Sequence, residues 1–187
     1  IHHSSGLATM GFGSSAILGG KLAAPDKVVL TLVGDGGFGT NPSCIATAVE
    51  QNIPVIWIVM NNSAFGTIAG LEYANFSTRF GTTFHTPDGA SYTPNWAEIA
   101  KGYGIKAVRI ESADQFKPAL EAAIASGEPY LLDVPMENIA VPTPGCWNIN
   151  DIYTCLLYTS PSPRDHRRSY AGLLEHQRHI HPQSQRC

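Results

Sequence analysis

Apolar residues in the first two thirds of the chain fall into short β-branched runs separated by segments of helical period. Residues 28–33 (VVLTLV) and 55–60 (VIWIVM) are two such runs, with the composition of strands buried on both faces of a sheet. Between them, residues 41–51 place Ile45, Ala48 and Val49 at helical spacing. A strand, a helix and a strand in that order predict a βαβ unit whose two strands are parallel neighbours. Residues 13–23 form a predicted helix rich in small residues. Residues 96–103 form a short amphipathic helix with Trp96, Ile99, Ala100 and Tyr103 on one face. Residues 106–110 read as a strand, and Ser112 is placed to cap a helix over 113–126 that Gly127 ends. Residues 130–134 complete the pattern as a buried strand closed by Pro135. The fold class expected from this alternation is α/β: a doubly wound, Rossmann-like parallel sheet with helices on both faces.

The ends of the two longest runs carry the candidate chemistry. Gly34-Asp35-Gly36-Gly37-Phe38 follows the first run, and Asn61-Asn62 follows the second. In parallel neighbours these residues emerge together at the carboxyl edge of the sheet, where open α/β sheets bind ligands. Gly34, Gly36 and Gly37 are expected to form tight turns and to let amide N–H groups approach phosphate oxygens. Magnesium takes octahedral oxygen ligands, commonly one or two carboxylates together with substrate phosphates. The Asp35 carboxylate, the Asn62 carbonyl, a nearby main-chain carbonyl, two phosphate oxygens and a water would make six. Residues 64–94 are the least regular stretch and start beside these ligands, so they are expected to be an active-site loop and lid.

The pairing of GDG with NN at this spacing resembles the diphosphate-binding motif of thiamine diphosphate-dependent enzymes. Upstream, residues 6–13 (GLATMGFG) are similar to that family's GLGTMGFG segment. The resemblance implies that the main-chain ligand lies at Ala64, giving a metal set of Asp35, Asn62 and Ala64. It implies that Met10 wedges beneath the thiazolium and bends the cofactor, while the Ala8 carbonyl holds the cofactor's amino group. The expected cofactor contacts are then Ala8, Thr9, Met10, Gly34, Asp35, Gly36, Gly37, Asn62, Ala64, Phe65 and Gly66. Ala8 departs from the family's glycine without consequence for a carbonyl contact. Ser14-Ser15 depart from its Leu-Pro and are expected to loosen the first helical turn.

Over residues 6–70 the chain looks closest to the acetolactate synthase-like branch of carboligases that act on 2-keto acids. Decarboxylases of the family often carry an acid just after NN; residues 63–71 have none, and Glu72 is the first. Other lyases, acyltransferases and cyclic dione hydrolases of the family are the alternatives, as is a standalone cofactor-binding subunit. A nucleotide-binding Rossmann module is disfavoured, because residues 34–40 lack the Gly-x-Gly-x-x-Gly register. The resemblance further implies a pyrimidine-binding domain on the same or a partner subunit, bearing the activating glutamate, and a homodimer or homotetramer. No catalytic residue is therefore expected within this segment. An FAD requirement, where present, would belong to another part of the full-length protein.

Composition changes the picture at the far end. Residues 155–165 (CLLYTSPSPRD) resemble the conceptual translation of a transposase-type sequencing adapter, so residues 154–187 are expected to be a non-native, disordered tail. Residues 155–187 carry five arginines against two acids, a balance of +3, which leaves −6 on residues 1–154 of the chain's −3. A basic tail whose His176, His179 and His181 hold zinc is the alternative. Residues 1–153 suffice for one domain, and the first residue, Ile1, suggests truncation at the front. An acidic body without a basic stripe disfavours nucleic acid as a partner. Cys44 and Cys146 have no metal-ligand spacing, and Cys44 reads as a buried small hydrophobe. With no disulfide pattern and no apolar run of membrane-spanning length, a cytoplasmic protein is expected.

Overall fold

The computed structural model describes residues 9–138. In chain order the elements are α1 (Phe12–Ala23), β1 (Leu30–Gly34), α2 (Asp35–Gly39), α3 (Cys44–Glu50), β2 (Ile56–Asn61), α4 (Gly66–Phe76), α5 (Trp96–Gly102), β3 (Lys106–Arg109), α6 (Ala113–Ser126) and β4 (Tyr130–Pro135). The strands pair in parallel in the order β1-β2-β4-β3. The chain steps from β1 to β2, skips a place to β3, and returns to β4. Right-handed crossovers must change faces when the direction of travel reverses, and the packing shows that change. Ile45, Ala48, Trp96 and Ala100, from α3 and α5, pack with Trp57, Val59 and Leu131 on one face. Phe116, Ala119, Leu120 and Ala123 of α6 cover Ile56, Ile58 and Leu132 on the other. The expected α/β class with helices on both faces is therefore observed.

β2 is the buried strand its apolar run predicts, with only Met60 partly exposed. β1 is not. It starts at Leu30 rather than residue 28, and Leu30 and Leu32 are 43% and 61% exposed. It lies at one side of the described sheet, and α6 covers the β2–β4–β3 portion of that face rather than β1. An apolar run reports what a strand can bury, not which of its faces is covered.

The helices show similar local departures. In α3, Ile45 and Ala48 are buried but Val49, in the last turn, is exposed. In α5, Ala97 is buried with Trp96 and Ala100, whereas Ile99 faces outward. Ser112 occupies the N-cap of α6 in extended conformation, yet its hydroxyl bonds no helix amide; it faces Asp114 and holds that carboxyl below its usual range. Gly127 ends the helix in left-handed conformation, as expected. The stretch 64–94 is less irregular than its sequence suggests, because it contains α4, a helix with no side-chain cap and no apolar stripe to announce it.

One carbonyl fixes α1 to the sheet. Ser14 O accepts from Trp57 Nε1 at 2.9 Å and from Cys44 Sγ at 3.2 Å, all three residues being buried. Helix, strand and α3 therefore meet on a single acceptor. The first turn of α1 is closed by Phe12 N to Thr9 O at 3.2 Å and Ser14 N to Gly11 O at 3.1 Å. Ser15 Oγ adds an acceptor for Asn41 Nδ2 at 2.7 Å. The expected loosening of the first turn is not seen: its backbone bonds are closed and Ser15 Oγ is tied to Asn41, while the Ser14 hydroxyl is buried without a partner among the described residues.

Two outcomes follow from these contacts. Replacing a bonded N-cap serine by alanine costs about 1 kcal/mol; Ser112→Ala should cost clearly less in a urea titration, since no cap bond is lost. Burial raises the Cys44 thiol to about 11. A thiol raised in the fold stabilises below its unfolded value and loses that contribution as pH climbs through the folded one. Iodoacetamide at pH 8 should therefore leave Cys44 unmodified in the native chain and label it once urea unfolds it, as read by peptide mass spectrometry.

Candidate active site

The register of β1 on β2 decides which side chains meet. Gly34 pairs with Met60, so Asp35 and Asn61-Asn62 leave the sheet side by side at its carboxyl edge. Asp35 opens α2 and is 2% exposed. Its Oδ1 accepts from Gly36 N at 2.8 Å, and its Oδ2 has no partner among the described residues. Burial pushes the Asp35 carboxyl above its usual range, and the amides of Gly36, Ser63 and Ala64 pull the other way. A buried carboxylate oxygen without a donor is costly unless a cation sits against it.

The Asn62 carboxamide meets this carboxylate. One terminus of the amide lies 3.2 Å from Asp35 Oδ1 and 2.9 Å from the Ala64 carbonyl oxygen. With nitrogen at that terminus the amide donates to both oxygens. With oxygen there, three oxygens converge on one point, a set that could hold a hard cation. Ser63, at φ 56°, turns the chain between Asn62 and Ala64. The turn is held from outside: Phe65 N donates to Thr82 O at 2.9 Å and Phe84 N to Ser63 O at 2.8 Å. Glu72 in turn accepts from Phe80 N at 3.0 Å and Thr82 Oγ1 at 2.7 Å, so α4 fastens the segment that fastens the turn.

The glycines serve closeness rather than turning. Gly34 has extended φ/ψ, Gly36 and Gly37 lie inside α2, and none of the three has positive φ; the expected tight turns are replaced by a short helix. A Cβ on Gly36 would come within 2.5 Å of the Phe65 ring, with Met10 Cε 3.5 Å away. A Cβ on Gly66 would lie 2.5 Å from Asn62 Nδ2. Left-handed conformation is needed instead at Gly11, φ 85°, where a side chain would also strike the Thr40 hydroxyl. The structure thus gathers Met10, Gly34, Asp35, Gly36, Asn62, Ala64, Phe65 and Gly66 at one edge. Gly37 packs back against Val33 instead. Thr9 is exposed and its carbonyl closes the first turn of α1. Ala8, Cys146 and the residues from 154 onward lie outside the described residues.

Sequence reasoning missed the buried network behind the candidate ligands. Asn61 Nδ2 donates to Asp133 Oδ1 at 2.9 Å, and Thr93 Oγ1 donates to Asn61 Oδ1 at 2.6 Å. Asp133 Oδ2 accepts from Arg109 Nη1 at 2.7 Å and Trp96 N at 3.2 Å. Asp133 is fully buried. The signal was present: an acid inside the apolar run YLLDVP needs charged or donor partners. Among the described residues, no group of three or more His, Cys, Asp or Glu could hold a metal, so any cation site rests on mixed oxygen donors. Two surface depressions among the described residues, lined by residues such as Lys27, Pro54, Ile105 and Glu128, lie at the opposite, amino edge. No helix among the described residues is long and apolar enough to cross a membrane.

Known proteins are similar to this chain in sequence and fold. The chain is 38% identical over 145 residues to a Methanocaldococcus jannaschii protein named "Probable acetolactate synthase large subunit", an alignment covering 76% of this chain and 24% of that one. It is 38% identical over 122 residues to a Bacillus velezensis 3D-(3,5/4)-trihydroxycyclohexane-1,2-dione hydrolase, covering 65% of this chain and 19% of that one. The fold superposes, with a TM-score of 0.61 and 28% identity, on the thiamine diphosphate-dependent 4-hydroxybenzoylformate decarboxylase of Rhodococcus jostii RHA1, covering 71% of this chain and 24% of that one. The chain thus spans about a quarter or less of the length of these relatives. The family described as "Thiamine pyrophosphate enzyme, C-terminal TPP binding domain" matches residues 1–134, and the chain belongs to that family.

Proposed function

We propose that this domain grips the diphosphate of thiamine diphosphate through a magnesium ion held by Asp35, Asn62 and the Ala64 carbonyl, as part of an acetolactate synthase-like carboligase acting on 2-keto acids. One observation carries the metal assignment: the Asn62 amide terminus, the Asp35 carboxylate and the Ala64 carbonyl oxygen meet at one point. Turned with its oxygen inward, that amide would complete a small set of hard oxygen donors of the kind magnesium takes, leaving further positions to phosphate oxygens and water. The orphaned Asp35 Oδ2 is a second oxygen in want of a cation. The amides at Gly36, Ser63 and Ala64 already point at that carboxylate.

When bound, the cofactor supplies the electron sink, and the protein supplies position and charge. Met10 and Phe65 offer apolar surface above Gly36 for the cofactor's ring system. The activating glutamate belongs to a pyrimidine-binding domain of the same or a partner subunit, and the assembly is a homodimer or homotetramer. The relatives named above include a synthase, a hydrolase and a decarboxylase. Carboligation is favoured over decarboxylation because residues 63–71 carry no acid, and Glu72, the first, holds Phe80 N and Thr82 Oγ1 through its Oε2.

The experiment that tests the site is a thermal-shift titration of the full chain. The midpoint should rise only with magnesium and thiamine diphosphate together, by the equivalent of about 2.7 kcal/mol at a hundredfold excess over Kd; no rise would remove the assignment. Asp35→Asn should melt no lower than the parent without ligand, since a penalised buried charge is gone, and should show no magnesium-dependent rise. Gly36→Ala, which drives a Cβ against Phe65, should weaken cofactor binding by about tenfold or more in the same titration. Joined to a pyrimidine-binding domain, the protein should convert pyruvate mainly to acetolactate; free acetaldehyde as the main product would point to the decarboxylase alternative.

A further inference from the structure

Adjacent asparagines at the end of β2 do different work. Asn62 points to the site edge, while Asn61 is 2% exposed and points into the body of the domain. The Asn61 amide is held at both ends, by Asp133 and by Thr93, and its carbonyl accepts from Met136 N at 2.7 Å. No freedom is left at the residue preceding the ligand. Asp133 also reaches the other ligand. Its Oδ2 accepts from Trp96 N, and the Trp96 ring stands edge-on to Phe38, centroids 5.3 Å apart. The same ring lies 3.1 Å from where a Cβ on Gly39 would sit. Phe38 and Gly39 belong to α2, the five-residue helix that begins with Asp35. One buried carboxylate thus braces the segment bearing Asn62 through Asn61, and the segment bearing Asp35 through Trp96. Arg109, 27% exposed, compensates its charge from β3.

We propose that Asp133 is a positioning residue that sets the separation of Asp35 and Asn62, acting through Asn61 on one side and Trp96 on the other, without touching the ion or the cofactor. The inference rests on the magnesium assignment above. Outer partners that orient metal ligands typically change affinity by about 10- to 100-fold when removed.

The test uses the full chain and two readouts. The first, on the unloaded protein, is the set of backbone amide resonances of Gly36, Asn62 and Ala64. The second is magnesium affinity at saturating thiamine diphosphate. Asp133→Asn keeps the shape but cannot serve Asn61, Trp96 and Arg109 together. It should move the three resonances and weaken magnesium binding by about tenfold. Thr93→Val, which strips the other end of the Asn61 clamp from a partly buried site, should do the same to a smaller degree and serves if Asp133→Asn does not fold. Val55→Ala, a core truncation at the amino end of β2, should lower the melting point while leaving both readouts unchanged. Resonances and affinity unmoved in the folded Asp133 or Thr93 variant would overturn the proposal, as would equal changes in Val55→Ala. Resonances that move in a chain whose parent binds no magnesium would instead sink the cofactor assignment and leave the bracing in place.

Discussion

The register between β1 and β2 is the constraint on which the rest depends. Side chains at a strand end can converge only if the strands are parallel and stop level, and pairing Gly34 with Met60 achieves both. A slip of one residue would turn Asn61 outward and Asn62 inward, because side chains alternate faces. The packing that prevents the slip is distributed along β2. Trp57 and Val59 are locked on one face, and Ile56 and Ile58 on the other. The Trp57 indole is also tied to Ser14 O at 2.9 Å. Precision at the edge is thus inherited from a strand that is buried along most of its length.

Two buried carboxylates at this edge are treated in opposite ways. Asp133 is surrounded by donors and matched by an arginine, so it is a finished part of the scaffold. Asp35 keeps one oxygen without a partner among the described residues, under a desolvation penalty that raises its pKa. Perturbed acids cluster where ligands bind, and the contrast supports Asp35, rather than Asp133, as the acid that meets the proposed ion.

Much of the fold was legible because its strands announce themselves. The apolar runs, the Gly127 stop and the strand–helix alternation are local signals with local causes, and the observed sheet follows them. The exposure of Leu30 and Leu32 was not legible, since it depends on which part of the sheet α6 covers. α4 escaped because its sequence carries neither a cap nor an apolar stripe; its single buried residue is Ala69. For the candidate site, the meeting of Asp35 and Asn62 could be anticipated from the strand ends, and Ala64 from the family resemblance. The helical conformation of the glycines could not, because a glycine's reason is often a neighbour distant in sequence, here Phe65 for Gly36. Asp133 was visible as an acid in a buried run, but its partners Asn61, Trp96 and Arg109 come from three separate segments.

The space at Gly66 bears on how this domain could be re-engineered. The residue opens α4, a position where serine or aspartate would ordinarily be welcome. Any side chain there, however, would press on the Asn62 amide, 2.5 Å from its nitrogen. A library that diversifies the segment after the asparagine pair would thus find position 66 open to alanine only at the cost of displacing the Asn62 amide. Two residues on, the 44% exposed Ile68 would accept broad substitution. Tolerance in this loop is set by clearance around one amide, and a substitution score based on helix propensity would rank the two positions in the wrong order.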